Sequence, residues 1–357
     1  MQSFEYNLKT PRVIFGAGTL SQLPEELTRL SSVRPLILST PEQAQQALDV
    51  SAILKQQVAG TYTKARMHTP LDITQEALGV LLNSQGDAII SVGGGSTIGL
   101  GKALSIRSGL SHIAIPTTYA GSEVTPILGE TIDGRKKTRT DPKILPSLVI
   151  YDVDLTLSLP APLTATSAIN SIAHATEAIY AKNSNPIICL LAQEGVRALA
   201  RVLPTLIEHP KSPEARASAL YGAWLCGICL GNTTMALHHK LCHVIGGLLD
   251  LPHAQTHAVI LPHALSYNAP KGTEASRLLA EALPDSGGEA IQGLNVLLRK
   301  AKVGRSLKEL GMQEDDIDKV ADAAMLAPYW NPRDFNRSVI RELVRRAWAG
   351  EEAREGL

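Results

Sequence analysis

The stretch DAIISVGGGSTIGLGKAL, residues 87–104, constrains the fold more than any other. An unbroken apolar run enters three glycines and a serine, Gly93, Gly94, Gly95 and Ser96, and continues into a segment of helical character. A run without polar alternation is a strand buried on both faces, and strand, turn and helix in that order form the unit of a parallel α/β sheet. PLILS (35–39), HIAIP (112–116) and SLVIYD (147–152) are further candidate strands with the same rhythm. From PLTATSAINSIAHATEAIYA onward, apolar residues recur three and four apart, which is helical spacing. The expected architecture is therefore an α/β domain with a parallel sheet over residues 1–160, followed by an all-α domain over 161–357. The boundary falls in DVDLTLSLPAPLT, where Pro160 and Pro162 interrupt both patterns. A chain of 357 residues suits two such cores.

Charge and composition narrow the partners. Lys plus Arg and Asp plus Glu each number 34, and no basic stretch is long enough to track a phosphate backbone, which argues against nucleic acid. No window approaches eighteen uninterrupted apolar residues and the N-terminus lacks a charged start before an apolar run, so a cytoplasmic protein without a membrane span is expected. Four cysteines make no disulfide framework, and the Cys226/Cys229 pair in YGAWLCGICLGN reads as two small core side chains. A small molecule is the expected partner.

The glycine turn suggests which one. Glycines let a backbone come close to a diphosphate, and a helix start offers unpaired N–H groups. Neither the P-loop spacing nor GxGxxG is met, and alone the turn is equally a tight connection. In HIAIPTTYAGSEVT a second strand ends in Thr117 and Thr118, with Ser122 following, and ligands of open α/β sheets bind at such strand ends. Alone, that pair reads as helix capping; together, Gly93, Gly94, Gly95, Ser96, Thr97, Thr117, Thr118 and Ser122 form a candidate dinucleotide site. Thr40 stands at the end of PLILS, where a carboxylate would grip an adenosine ribose, so the sequence does not separate NADH from NADPH.

The other concentration of chemistry is HHKLCHVIGGLLDLPHAQTH, residues 238–257, with five of the chain's 10 histidines. His239 and His243 lie four apart, as do Asn170 and His174 in TATSAINSIAHATEAIYA, a spacing that puts each pair on one helix face. His238 is expected to turn away from His239's face, and His257 and His263 to be structural or at the surface. Lys240 reads as a solvated charge or a substrate contact. In APYWNPRDF, Tyr329 and Trp330 read as core, and Arg333 as a surface residue or a carboxylate clamp.

The combination of GGGS after a strand, PTTxxGSE, a helix with [DN]xxxH, and HxxxH followed by PH resembles the iron-containing alcohol dehydrogenase superfamily. Within it, SAINSIAHATEAIYA and HHKLCHVIGGLLDLPHAQTHAVILPHAL look most like the maleylacetate reductase branch. The resemblance implies a Rossmann-like dinucleotide-binding domain, a helical catalytic domain, a cleft between them as the active site, and a homodimer. It also implies NADH- or NADPH-dependent reduction of the carbon–carbon double bond of a small dicarboxylate, maleylacetate, to 3-oxoadipate during aromatic degradation. In metal-dependent members an Asp and three histidines hold Fe²⁺ or Zn²⁺; carried over, these positions are Asn170, His174, His239 and His253. An Asn supplies no anionic ligand, so no metal is expected, and Asn170, His174 and His239 become candidate substrate contacts. His243, His253 and Lys240 become the candidate catalytic groups. The rivals are a metal-dependent alcohol dehydrogenase, a dehydroquinate-synthase-like lyase that shares the fold, and a nucleotide-binding protein that has lost catalysis.

Overall fold

The computed structural model describes residues 3–55, 57–133, 135–326 and 329–356. It divides into two compact units, Lys9–Leu159 and a second comprising Met1–Leu8 with Pro160–Leu357.

The first unit is built on β1 (Arg12–Gly16), β2 (Pro35–Leu38), β3 (Gly60–Tyr62), β4 (Ala88–Gly93), β5 (Ser111–Pro116) and β8 (Leu148–Asp152), all parallel, in the order β1-β8-β5-β4-β2-β3. The four strands expected from apolar runs are β2, β4, β5 and β8. Alternate residues serve opposite faces. Ile37, Ile90, Ile113 and Ile150 pack with Leu23 and Leu27 of α1 (Leu23–Arg29) and Val50 of α2 (Ala44–Ile53). Leu36, Leu38 and Ile89 pack with Ala77 and Leu81 of α3 (Leu71–Asn83) and Leu100 and Leu104 of α4 (Gly95–Ser108). A sheet covered on both sides has no polar face, which is why its central strands read as continuous apolar runs. Edge strand β1 is half exposed and β3 has three residues, too little pattern to read. A hairpin of β6 (Ile127–Ile132) and β7 (Arg135–Thr140) also escaped expectation, because RKKTRT carries no apolar alternation.

The second unit is helical: α5 (Ala161–Ile179), α6 (Pro186–Glu208), α7 (Pro213–Asn232), α8 (Leu237–Leu249), α9 (His253–Asn268), α10 (Glu274–Ala282), α11 (Ala290–Lys300), α12 (Asp316–Met325) and α13 (Arg337–Ala349). Helix α5 is buried at every position from Thr164 to Ile179, so its Ala, Ser and Thr residues keep it thin enough for neighbours on all sides. Helices α6 and α7 approach through Gly195 and Gly222; a Cβ on Gly222 would stand 2.9 Å from the Gly195 carbonyl oxygen. Cys226 packs against Gly195 at this crossing, and both Cys226 and Cys229 are free, buried thiols whose pKa burial pushes up. The core reading of the CxxC holds. Among the described residues no single helix is long and apolar enough to cross a membrane.

Candidate functional site

In the sheet unit, Gly93 and Pro116 face each other at the ends of β4 and β5, which makes the two turns neighbours. Thr117 N–H donates to the Gly93 carbonyl at 3.1 Å. Gly93 has φ +153°, and a Cβ there would meet Gln43 Oε1 at 2.5 Å and Thr97 Oγ1 at 2.6 Å, so only glycine fits. A Cβ on Gly94 would lie 2.9 Å from Thr118, and one on Gly95 would lie 4.0 Å from Ser122 Oγ. Helix α4 starts at the exposed Gly95 and the half-buried Ser96, while the N–H groups of Thr97 and Ile98 donate to the Gly94 carbonyl at 3.1 Å. The buried hydroxyls of Thr97 and Ser122 have no partner among the described residues. Donors without acceptors, next to a helix start, fit an anionic diphosphate.

Gln43, absent from the sequence expectations, ties these residues together. Its Nε2 donates to Thr117 Oγ1 at 2.5 Å, and Thr40 Oγ1 lies 3.5 Å from its Oε1. The Thr117 hydroxyl is thus already engaged within the protein, whereas Thr118 is half-buried beside Gly94. Proximity in space, not spacing in sequence, identifies Gln43.

In the helical unit the histidines cluster around a residue the sequence reading missed. Glu177 of α5 is fully buried, and its carboxylate accepts N–H groups from Ala236 at 2.9 Å, His238 at 2.8 Å and His239 at 3.4 Å, the start of α8. An anion there meets the positive end of the helix dipole. The same Oε2 lies 2.7 Å from His239 Nδ1, and His239 Nε2 lies 2.9 Å from His174 Nδ1. A carboxylate accepts only, so His239 carries its proton on Nδ1; with both rings neutral, its Nε2 then accepts from His174 Nδ1–H. Asn170, His174 and Glu177 are spaced by four and three, and Glu177 is the one charged residue of α5. That isolated charge was the available signal.

Asn170 and His239 are buried, and Asn170 Oδ1 has no partner among the described residues. His243 and His253 are half-buried; the His243 ring lies 6.2 Å from that of His239, and the His253 ring 4.3 Å from that of His257. Lys240 is also half-buried, with Nζ 5.3 Å from the centre of the Tyr329 ring. Tyr329 stacks on Phe335 at 4.9 Å, while Arg333 is exposed and lies over the Tyr267 ring at 4.2 Å. Ala327 and Pro328, which begin that stretch, lie outside the described residues.

His238 does not leave the group: its ring centre lies 5.1 Å from that of His239, and its Nε2 lies 3.0 Å from His257 Nδ1, because α9 brings His257 against α8. Burial pushes both rings well below the usual histidine pKa, with the neighbouring histidines adding to the shift, so both are neutral. His257 and His263 are buried, not at the surface, because α9 is covered on all sides beyond its first turn.

The carried-over ligand set fits a metal poorly. His174 Nδ1 and His239 Nε2 lie 2.9 Å apart, within hydrogen-bond distance, whereas two nitrogens on one tetrahedral zinc lie about 3.3 Å apart. Asn170 adds only a neutral group. Among the described residues the three ligand atoms that do converge, within 4.8 Å, belong to His238, Cys242 and His257. The outer nitrogens of those two rings, His238 Nδ1 and His257 Nε2, have no partner, so they lack the second hydrogen bond that ordinarily braces a metal-bound imidazole.

Comparison with known proteins matches residues 10–153 to the iron-containing alcohol dehydrogenase family and residues 164–348 to its C-terminal domain. The chain is 47% identical to a maleylacetate reductase of Burkholderia cepacia, over 98% of this chain and 99% of that protein. Among solved structures, a maleylacetate reductase from Agrobacterium tumefaciens superposes with a TM-score of 0.93 at 46% identity, covering 99% of this chain and all of that one. One from Rhizobium sp. strain MTP-10005 superposes at 0.92 with 45% identity, covering 99% and 100%.

Proposed function

From its membership of the iron-containing alcohol dehydrogenase family, we propose that this chain is a maleylacetate reductase, reducing the carbon–carbon double bond of maleylacetate to give 3-oxoadipate. The observation that carries this is the near-half identity to a maleylacetate reductase along essentially the whole length of both chains. The reaction takes NADH or NADPH, and the cluster of Thr40, the three glycines, Ser96, Thr97, Thr117, Thr118 and Ser122 is where the dinucleotide's phosphates and ribose bind. Bound there, the dinucleotide supplies a hydride, received at the carbon β to the ketone.

Negative charge then rests on an enolate oxygen. That oxygen is less basic than the alkoxide of an alcohol dehydrogenase and needs hydrogen-bond donors, not a Lewis acid. His243, His253 and Lys240, the half-exposed members of the cluster, supply those donors, and one of the two histidines returns a proton to the α carbon. Asn170, His174 and His239 contact the substrate from the buried side. Two features support working without a metal: Asn170 brings no anionic ligand, and His174 is hydrogen-bonded to His239.

The test follows NADH and NADPH absorbance with maleylacetate beside a panel of aldehydes and ketones, before and after exhaustive chelation. Oxidation with maleylacetate that survives chelation is expected. Turnover of simple aldehydes alone points to the alcohol dehydrogenase reading, and stoichiometric iron or zinc whose removal abolishes activity defeats the metal-free one. A lyase consumes no net NADH.

A further inference from the structure

Lys102 of α4 lies two turns into the helix that follows the glycine turn, yet its side chain is buried, not presented at the helix start. Its Nζ reaches four oxygens of one segment: Ser122 O at 2.5 Å, Thr125 O at 2.8 Å, Ile127 O at 2.9 Å and Thr125 Oγ1 at 3.0 Å. An ammonium has three N–H groups, so these acceptors use all of them and leave none for a phosphate. Thr125 Oγ1 in turn donates to the Ser122 carbonyl at 2.9 Å, which closes the segment on itself.

This arrangement is costly to build. Burial presses the Lys102 pKa down to about 7 against the pull of the Glu123 carboxylate, itself fully buried and bonded to Tyr151 Oη at 2.8 Å. Four oxygens within 3.0 Å hold the proton on the amine. An apolar side chain would fill the same space and take this donor from the Thr125 and Ile127 carbonyls, leaving the Ser122 carbonyl to Thr125 alone. What the charge secures is the path of residues 122–127, and the first of these is Ser122, whose hydroxyl has no partner among the described residues and stands beside Gly95 at the start of α4.

We propose that Lys102 is a positioning residue for dinucleotide binding, which by gripping the carbonyls of residues 122–127 holds the Ser122 hydroxyl against the start of α4 to receive a phosphate. This rests on the dinucleotide reading given above. It separates two roles that a lysine after a glycine turn usually combines: here Ser122 and the helix start meet the anion, and Lys102 only places them.

The experiment is a double-mutant cycle read by NADH fluorescence. Ser122→Ala removes the contact, Lys102→Met removes the grip, and the two together test whether one acts through the other. Each single variant is expected to weaken NADH binding about tenfold. The double variant should be no weaker than Lys102→Met within about a factor of two. At saturating NADH, kcat and the KM for maleylacetate of Lys102→Met should stay within about twofold of wild type, a split that mere loss of folded protein does not produce. A folded Lys102→Met that binds NADH like wild type, a Ser122→Ala without effect, or two effects that multiply would overturn the proposal. If Lys102→Met does not fold, Thr125→Val decides, since it deletes one of the four acceptors: about threefold weaker NADH binding supports the proposal and an unchanged Kd overturns it. Wild-type protein that binds no dinucleotide defeats the dinucleotide reading instead, which is a separate result.

Discussion

Glu177 Oε2 lies 2.7 Å from His239 Nδ1 inside the helical unit, and this one bond sets the protonation pattern of two histidines. The carboxylate keeps the His239 proton on Nδ1 and leaves Nε2 to accept from His174 Nδ1–H. The same group anchors the first turn of α8, which carries His238, His239, Lys240 and His243.

Glu177→Gln should therefore damage both tautomer and turn. An amide offers one acceptor oxygen where the carboxylate offers two, so at least one buried N–H loses its partner, at about 1–3 kcal/mol of stability. With the amide nitrogen facing it, His239 Nδ1 must accept, and the order of donors reverses through His174. We expect kcat to fall about 10- to 100-fold with the KM for NADH unchanged. Steady-state kinetics on folded variant, checked by thermal melting, measure this; wild-type kcat would remove the tautomer argument.

Asn170→Asp restores the acid of metal-dependent relatives. Without a metal it sets a buried anion against a dianionic substrate, a repulsion of up to about 4 kcal/mol at close range. The KM for maleylacetate in the presence of chelator should rise at least tenfold. Adding zinc or iron to this variant should relieve part of the rise, whereas an unchanged KM would place Asn170 away from the substrate.

His243→Ala separates donor from bystander. A proton donor or oxyanion partner contributes roughly a hundredfold or more. Stopped-flow single turnovers with NADH and maleylacetate should slow by that factor while NADH binding persists, and an undiminished rate would leave His253 and Lys240 to carry the chemistry.

Acid should destabilise the protein through two buried histidines outside the cluster. Burial, aided by the Arg346 charge, lowers His263 to about 4, and burial with the Lys102 charge lowers His112 to about 3. A histidine whose folded pKa is depressed binds protons first when unfolded, so its stabilisation is complete above about 6.5 and is lost as pH falls toward the folded value. Each group should remove about 1 kcal/mol per pH unit below 6.5. Urea midpoints at pH 7.5, 6 and 5 read this slope, and His263→Gln should make it shallower.

Part of this protein was legible from residues alone. Strands β2, β4, β5 and β8 announce themselves because burial on two faces demands unbroken apolar runs, and a backbone with φ +153° at a crowded turn demands Gly93. The pairs Asn170/His174 and His239/His243 follow from helical repeat, which is local geometry. The strands β1 and β3 and the basic hairpin did not show, because an edge or a solvated ribbon imposes no apolar pattern.

Sequence thus fixed which side chains share a face, while only tertiary structure decided what those faces meet. His174 and His239 stand 65 residues apart, Glu177 and His239 62, and Lys102 and Thr125 23; no local rule relates such positions. The lysine that ends GGGSTIGLGK carries no role in the sequence reading, and packing turned it inward to Ser122, Thr125 and Ile127. In the histidine run, a carboxylate from another helix sits against His239, which in turn lies within hydrogen-bond distance of His174. In both places the cause is the same: a buried polar atom must find a partner, and the partner it finds is set by which segments the fold brings within 3 Å.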